Sequence, residues 1–311
     1  MHKGRKIVVV VPAHNEENFI GGVIATMPDF VDAIVVVDDC SSDRTAERAI
    51  AQHGRRVHVV HTEKQTGVGG ATKLGYVEAL SQAADVIVKM DGDGQMPPGL
   101  LAPLIDPLVE EGYSYSKGNR LSAGRPWAGM PRGRLVGNVL LGLMSKFASG
   151  YWHVVDPQNG FTAITREALQ RVDLDAVSQG FFFEDDMLIQ LNVARARVKD
   201  VPMPAKYGSE VSDIRVSRVA FTFPWLFLRG FWHRLFRKYV VMNFSPMAVF
   251  FCLGTLLFSG GALGGIVLWI KSSISRTAAS GAAVVLVLLP IVLGFLLLLH
   301  AVVLDARDVP Q

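Results

Sequence analysis

Val86-Ile87-Val88-Lys89-Met90-Asp91-Gly92-Asp93-Gly94-Gln95 decides how this chain is read. It begins apolar and β-branched, the pattern of a buried strand. It ends in two aspartates one residue apart. Successive side chains alternate in an extended chain, so Asp91 and Asp93 share a face. Gly92 and Gly94 let the backbone turn and let a ligand come close. In open α/β sheets ligands bind just beyond the carboxyl ends of strands. Two hard carboxylates there suit Mg²⁺ or Mn²⁺ shared with a diphosphate. The plainer reading is a solvated Asp-Gly turn, and for an isolated Asp-Gly-Asp-Gly it would be preferred.

The chain before this stretch shifts that balance. Residues 7–11 form a β-branched run that Pro12 ends, and Ala13-His14-Asn15-Glu16-Glu17 leads into a helix. Asn15 reads as its N-cap, with the two glutamates in the first turn. Residues 33–37 form a second strand running into Asp38-Asp39-Cys40-Ser41-Ser42-Asp43, and residues 45–53 read as a helix. Residues 57–61 make a third strand. Gly67-Val68-Gly69-Gly70-Ala71 follows, then a helix to about residue 84. Strands alternating with helices at this spacing imply a doubly wound, mostly parallel sheet. Polar residues recur at the strand ends: Asn15 and Glu16, Asp38 and Asp39, Asp91 and Asp93. That recurrence marks one ligand edge. The glycines at 67–70 lack G-x-G-x-x-G spacing after the first strand, and there is no Walker lysine, which argues against dinucleotide and P-loop folds.

Downstream, residues 100–111 read as a helix and Tyr115-Ser116-Lys117-Gly118-Asn119-Arg120 as another strand end. Arg125, Arg132 and Arg134 sit in a Gly/Pro-rich segment that reads as a mobile loop. Residues 135–147 are apolar at helical spacing. Asp156-Pro157-Gln158-Asn159-Gly160-Phe161 is a turn before a strand at 162–164. Phe181-Phe182-Phe183-Glu184-Asp185-Asp186 opens a helix over 187–194. Its acids either cap that helix or include a carboxylate whose pKa is lifted by apolar neighbours.

Of 311 residues, 50% are hydrophobic, and the excess lies after residue 240. The net charge of +3 is too small to argue for nucleic acid. Two cysteines, Cys40 and Cys252, fall in unlike regions and give no disulfide framework. The N-terminus has no signal-peptide h-region, so the N-terminal part is expected in the cytosol. From 221 to 238, Phe223, Trp225, Leu226, Phe227, Phe231, Trp232, Leu235 and Phe236 interleave with Arg229, His233, Arg234, Arg237 and Lys238. This reads as an amphipathic helix in the headgroup region, basic side out. The plainer alternative is a helix packed on the preceding α/β domain. No acidic residue, lysine or arginine falls between Lys238 and Lys271, or between Arg276 and Asp305. Each stretch exceeds the ~20 apolar residues that span a bilayer. Spans are expected at 246–270 and 278–303, since two buried core helices would need a larger soluble domain. Arg229, Arg234, Arg237 and Lys238 outweigh Lys271 and Arg276, which puts both ends in the cytosol. His300 reads as interfacial.

Val9-Val10-Val11-Pro12-Ala13-His14-Asn15-Glu16-Glu17, Val36-Val37-Asp38-Asp39-Cys40-Ser41-Ser42-Asp43-Arg44-Thr45 and Asp91-Gly92-Asp93-Gly94-Gln95, in this order, resemble the inverting family-two glycosyltransferases of GT-A fold. With the apolar tail, the chain resembles their polyprenyl-phosphate branch, the dolichyl-phosphate mannose synthase-like group. The resemblance covers residues 6 to about 220 by motif and the tail by architecture.

It implies a cytosolic GT-A domain over residues 1–220 and an interfacial segment over 221–243. A transmembrane hairpin over 244–304 and a cytosolic tail over 305–311 complete the layout. It also implies transfer of one sugar, with inversion, from a UDP- or GDP-hexose to a polyprenyl phosphate. Pro12, Glu16 and Asp39 would line the base and ribose. Asp91 and Asp93 would hold the diphosphate through Mg²⁺ or Mn²⁺, with Gln95 as a further ligand. Arg120 would approach the donor phosphates and Arg134 would meet the lipid phosphate. Asp156, Glu184 and Asp185 match acids near the reacting centre. Tyr207-Gly208-Ser209-Glu210-Val211-Ser212-Asp213-Ile214-Arg215 resembles a loop closing on the donor, with Ser212 and Arg215 as its contacts. The Gln-x-x-Arg-Trp motif of processive synthases is absent, which points to one sugar per turnover. The rival readings are a different lipid or lipid-linked acceptor, and an inactive sugar-nucleotide-binding subunit.

Overall fold

The fold is described from a computed structural model. It describes residues 1–52, 56–122, 132–204 and 216–310, and of residues 132–136, 138 and 216–220 the backbone only. The chain divides into a unit built on Met1–Trp232 and one built on His233–Val309.

The first unit holds a seven-stranded sheet of order β3-β2-β1-β4-β6-β5-β7. Strands β1 (Ile7–Ala13), β2 (Ala33–Asp38), β3 (Val57–His61) and β4 (Val86–Lys89) run parallel, with Val9 opposite Ile34 and Val10 opposite Lys89. Strand β6 (Thr162–Thr165) is antiparallel to both neighbours, β4 and β5 (Tyr115–Asn119). Strand β7 (Val198–Pro202) pairs parallel with β5. The sheet is thus doubly wound and mostly parallel. Every residue of β1, β2 and β4 is buried, because helices cover both faces. Pro12 lies inside β1 opposite Val37, beyond the end of the β1–β4 ladder, where its missing N–H costs no pairing toward β4.

Helices α1 (Ile20–Ala25), α2 (Thr45–Ala51), α3 (Gly67–Ser81) and α4 (Leu101–Glu110) wrap this sheet. Helix α3 begins at the glycine run itself. A side chain at Gly75 would collide with Val10, so glycine lets α3 lie directly on β1. Asn15 is not a helix N-cap. It adopts φ +58, and its Oδ1 accepts the Ser42 N–H at 2.8 Å, joining the loops after β1 and β2. Helix α6 (Arg166–Arg171) and β7 escape the sequence reading, the latter because Val198 and Val201 are spaced off the period of two.

Helices α5 (Arg132–Ser149), α7 (Phe183–Val193) and α8 (Val216–Phe236) enclose a second cluster of Ala148, Phe182, Ile189 and Phe227. Outside it, α5 exposes Val139, Leu140, Leu143 and Phe147, and α8 exposes Phe221, Trp225, Leu228 and Trp232.

In the second unit a π-helical turn, Arg237–Val241, precedes α9 (Pro246–Ser275) and α10 (Gly281–Arg307). These two helices, of 30 and 27 residues, are long and apolar enough to cross a membrane. They meet through glycine: a side chain at Gly254 would stand 3.0 Å from the Gly294 carbonyl oxygen. The basic face expected over 221–238 is narrower than the sequence implies. Arg229 is exposed, but Arg234 and Lys238 are buried. Arg234 grips Asp305 with Nη1–Oδ1 at 2.5 Å and Nη2–Oδ2 at 2.9 Å, and the Tyr239 hydroxyl donates to the same carboxylate at 2.6 Å. Lys238 Nζ lies 3.1 Å from Asp308 Oδ2. Such pairs cover the cost of burying charge with charge-assisted hydrogen bonds.

Candidate active site

The site lies at the carboxyl ends of β1, β2 and β4. Asp39, just beyond β2, is 3% exposed, and its carboxylate accepts four hydrogen bonds. These come from Thr62 Oγ1 (2.9 Å), Thr66 N (2.8 Å), Thr66 Oγ1 (2.9 Å) and Gly67 N (2.7 Å). Burial alone would raise its pKa, but the bonds from Thr66, Thr62 and Gly67 outweigh burial and hold it below the ordinary value. Asp39 therefore ties the end of β2 to the loop after β3 and to the start of α3. Asp38 accepts from Ser41 N at 3.3 Å and faces His61 Nδ1 at 3.1 Å. His14 Nδ1 meets the Asp39 carbonyl at 2.7 Å, which closes the loop bearing half-buried Glu16 onto the same edge.

Beyond β4 the chain turns through Asp91, Asp93 and Gln95, all half-buried, with Gly94 at φ +74. Asp93 Oδ1 accepts the Gln95 N–H at 2.9 Å, which tightens the turn. Asp91 Oδ1 is buried and lies 2.8 Å from Lys89 Nζ, yet has no aligned hydrogen bond. Among the described residues no three His, Cys, Asp or Glu side chains form a complete cation cage. Two carboxylates and an amide on one turn, with an acceptor oxygen left unsaturated, instead fit a divalent cation that completes its shell with ligand oxygens and water.

Lys89 and Lys117 were not singled out by sequence, and both are fully buried. Lys89 Nζ lies 2.8 Å from Glu184 Oε1 as well as from Asp91. Lys117 Nζ donates to the Asn159 carbonyl. Burial would raise Glu184, but Lys89 and Lys117 hold its carboxyl below the ordinary value. Burial pushes Asp185 up to about 7, since both its oxygens are buried without an aligned hydrogen bond. Burial likewise pulls Lys117 down to about 8, against the attraction of Glu184, Asp156 and Asp185. The available signal was a lysine inside a strand whose neighbours are buried, since such a cation needs a partner.

Asp156 receives Arg120 in a fork, Nε–Oδ2 at 2.8 Å and Nη2–Oδ1 at 3.1 Å. The turn after Asp156 packs onto the pair at β4: a side chain at Gly160 would collide with Lys89 Nζ and stand 2.8 Å from Asp91 Oδ2. The structure thus joins Asp91 and Glu184 through Lys89, and Arg120 and Asp156 directly. The Arg134 side chain, Ser212 and Arg215 lie outside the described residues.

A family model described as Glycosyl transferase family 2 matches residues 8–173. A UDP-N-acetylglucosamine–dolichyl-phosphate N-acetylglucosaminyltransferase of Methanococcus voltae is 29% identical over 70% of this chain and 92% of its own. A polyprenol monophosphomannose synthase of Mycolicibacterium smegmatis is 34% identical over 59% of this chain and 71% of its own. Among solved structures, glucosyl-3-phosphoglycerate synthase from Mycobacterium tuberculosis in complex with Mn²⁺, UDP-glucose and phosphoglyceric acid superposes with TM-score 0.54 at 26% identity. That likeness covers 74% of this chain and 80% of that one.

Proposed function

The chain belongs to glycosyl transferase family 2, and on that premise we propose that it transfers one sugar from a UDP- or GDP-hexose to a polyprenyl phosphate with inversion. The observation that carries this reading is a sheet edge bearing Asp91 and Asp93, tied through Lys89 to Glu184 at the start of α7, in a chain that also carries two membrane-length helices. The relatives from M. voltae and M. smegmatis, one named for a dolichyl-phosphate acceptor and the other for a polyprenol monophosphomannose product, support the acceptor class.

In this reading Pro12 and Glu16 line the base and ribose, and Asp39 holds the wall behind them. Asp91, Asp93 and Gln95 hold Mg²⁺ or Mn²⁺, which would neutralise charge developing on the leaving diphosphate. Arg120, aimed by Asp156, adds a fixed cation at the same edge. An acceptor phosphate is already an anion near neutral pH and needs placement more than deprotonation. Arg134, Ser212 and Arg215 are assigned to that placement and to closure over the donor. Asp185, with its lifted pKa, is suited to hold a proton near neutrality. A single in-line displacement inverts the sugar's anomeric centre without a covalent enzyme intermediate.

Residues 1–220 are assigned to the catalytic domain on the cytosolic face, 221–243 to the interface, 244–304 to the membrane and 305–311 to a cytosolic tail. The exposed apolar faces of both α5 and α8 support contact with lipid.

The test is mass spectrometry of lipid products after purified protein meets polyprenyl phosphate and a panel of sugar nucleotides. A polyprenyl-phosphate hexose is expected. Transfer only to another lipid acceptor, or none at all, overturns the reading.

A further inference from the structure

The reaction as proposed leaves Lys89 without a duty. Its side chain is 1% exposed, with Nζ 2.8 Å from Asp91 Oδ1 and 2.8 Å from Glu184 Oε1. A buried amine in contact with two carboxylates is held as an ammonium, the charge that its two partners require. Gly160 closes the arrangement, since a Cβ there would press on Nζ and stand 2.8 Å from Asp91 Oδ2.

We propose that Lys89 is a positioning residue that weakens the grip of the Asp91–Asp93 turn on its divalent cation and couples that turn to Glu184. This role rests on the proposed function of the turn as the cation–diphosphate site. A fixed positive charge in contact with a ligand carboxylate repels any cation that binds there. The turn alone then holds a divalent ion loosely. A nucleoside diphosphate brings negative charge of its own and tips the balance, so cation and donor bind together and leave together. The same ammonium holds Asp91 and Glu184 at a set separation across β4 and α7.

The test is titration of full-length protein in detergent with Mn²⁺ alone, followed by electron paramagnetic resonance. Lys89→Met is expected to bind Mn²⁺ at least tenfold more tightly than wild type, while kcat falls. Lys89→Arg, which keeps the charge, is expected to stay within about threefold of wild type. Lys89→Met strands Glu184 without its partner, so the balanced Lys89→Met/Glu184→Gln variant is measured beside it, with near-UV circular dichroism reporting the fold. It too is expected to bind Mn²⁺ severalfold more tightly. A natively folded variant of either kind with Mn²⁺ affinity equal to or weaker than wild type overturns the proposal, as does absence of Mn²⁺ binding throughout. The titration needs no acceptor, so a failure of sugar transfer to polyprenyl phosphate would sink the function while leaving this result to stand or fall separately.

Discussion

Arg120 and Asp156 form a two-pronged ion pair, Nε to Oδ2 at 2.8 Å and Nη2 to Oδ1 at 3.1 Å. Asp156 is nearly buried, while Arg120 is 38% exposed, so solvent screens part of the attraction. A double-mutant cycle of Arg120→Ala and Asp156→Asn should give a coupling of about 1 kcal/mol in unfolding experiments. Either single change should lower kcat at least tenfold, because the guanidinium loses its fixed aim. Arg120→Lys should recover only part of that loss, since an ammonium lacks the planar fork. Additive single effects would show that the pair is incidental.

Asp93→Asn should leave the fold intact and reduce turnover by at least about a hundredfold, the scale expected when charge stabilisation at the leaving group is lost. EDTA should do the same to wild type, with recovery on adding Mn²⁺ or Mg²⁺. Turnover measured with and without chelator decides this, and full activity in EDTA would remove the metal from the site.

Asp185 gives a pH signature. Its pKa is about 7 in the fold against 3.8 unfolded, so the native state keeps a proton that the unfolded state has lost. Stability from this group is complete below about pH 4 and is lost as pH rises through 7. Asp185→Asn removes the cost of burying a charge. It should therefore melt higher than wild type at pH 8, by about 2 kcal/mol after allowance for neighbouring Lys117, and the gap should close near pH 4. Lys117 lies below its ordinary value, at about 8, and is held up partly by Asp185; this coupling makes the expected gap smaller than the Asp185 shift alone would give. Melting curves of both proteins from pH 4 to 8 provide the check. A gap that does not vary with pH would mean that Asp185 is charged throughout.

The two exposed apolar faces should touch lipid. Single-tryptophan proteins retaining Trp225 or Trp232, or carrying Leu143→Trp on α5, should each be quenched by brominated lipids in vesicles. Trp152, replaced in those variants, should itself be quenched little when kept as the sole tryptophan. Unquenched Leu143→Trp would restrict the interface to α8.

The sheet edge was legible because β-branched runs announce buried strands and because aspartates recur where they stop. Lys89 and Lys117 were not, since lysine defaults to the surface and Glu184, the partner that keeps Lys89 inside, lies 95 residues away. Distance along the chain also hid the duty of Arg234, whose acceptor Asp305 follows 71 residues later, so the cation was read as a headgroup contact. Asn15 misled for a different reason. Its residue type suits a cap, but its bond runs to Ser42 across two loops, which no local pattern announces. Asp39 was correctly drawn to the edge, although its role there as a fourfold acceptor follows only from where Thr62, Thr66 and Gly67 fall in space.

The insertion of β6 between β4 and β5 sets an order on synthesis. Strand β5 leaves the ribosome more than forty residues before the strand it must pair with, and β4 waits longer still. Until residue 165 emerges, β4 presents an open edge, the kind of template on which chains pair with one another. The Asp-Gly-Asp-Gly turn exists early, but without Gly160 packed against it and Glu184 behind Lys89 it is only a solvated loop. A chain cut short between β5 and β6 would therefore be a sticky, inert half-sheet.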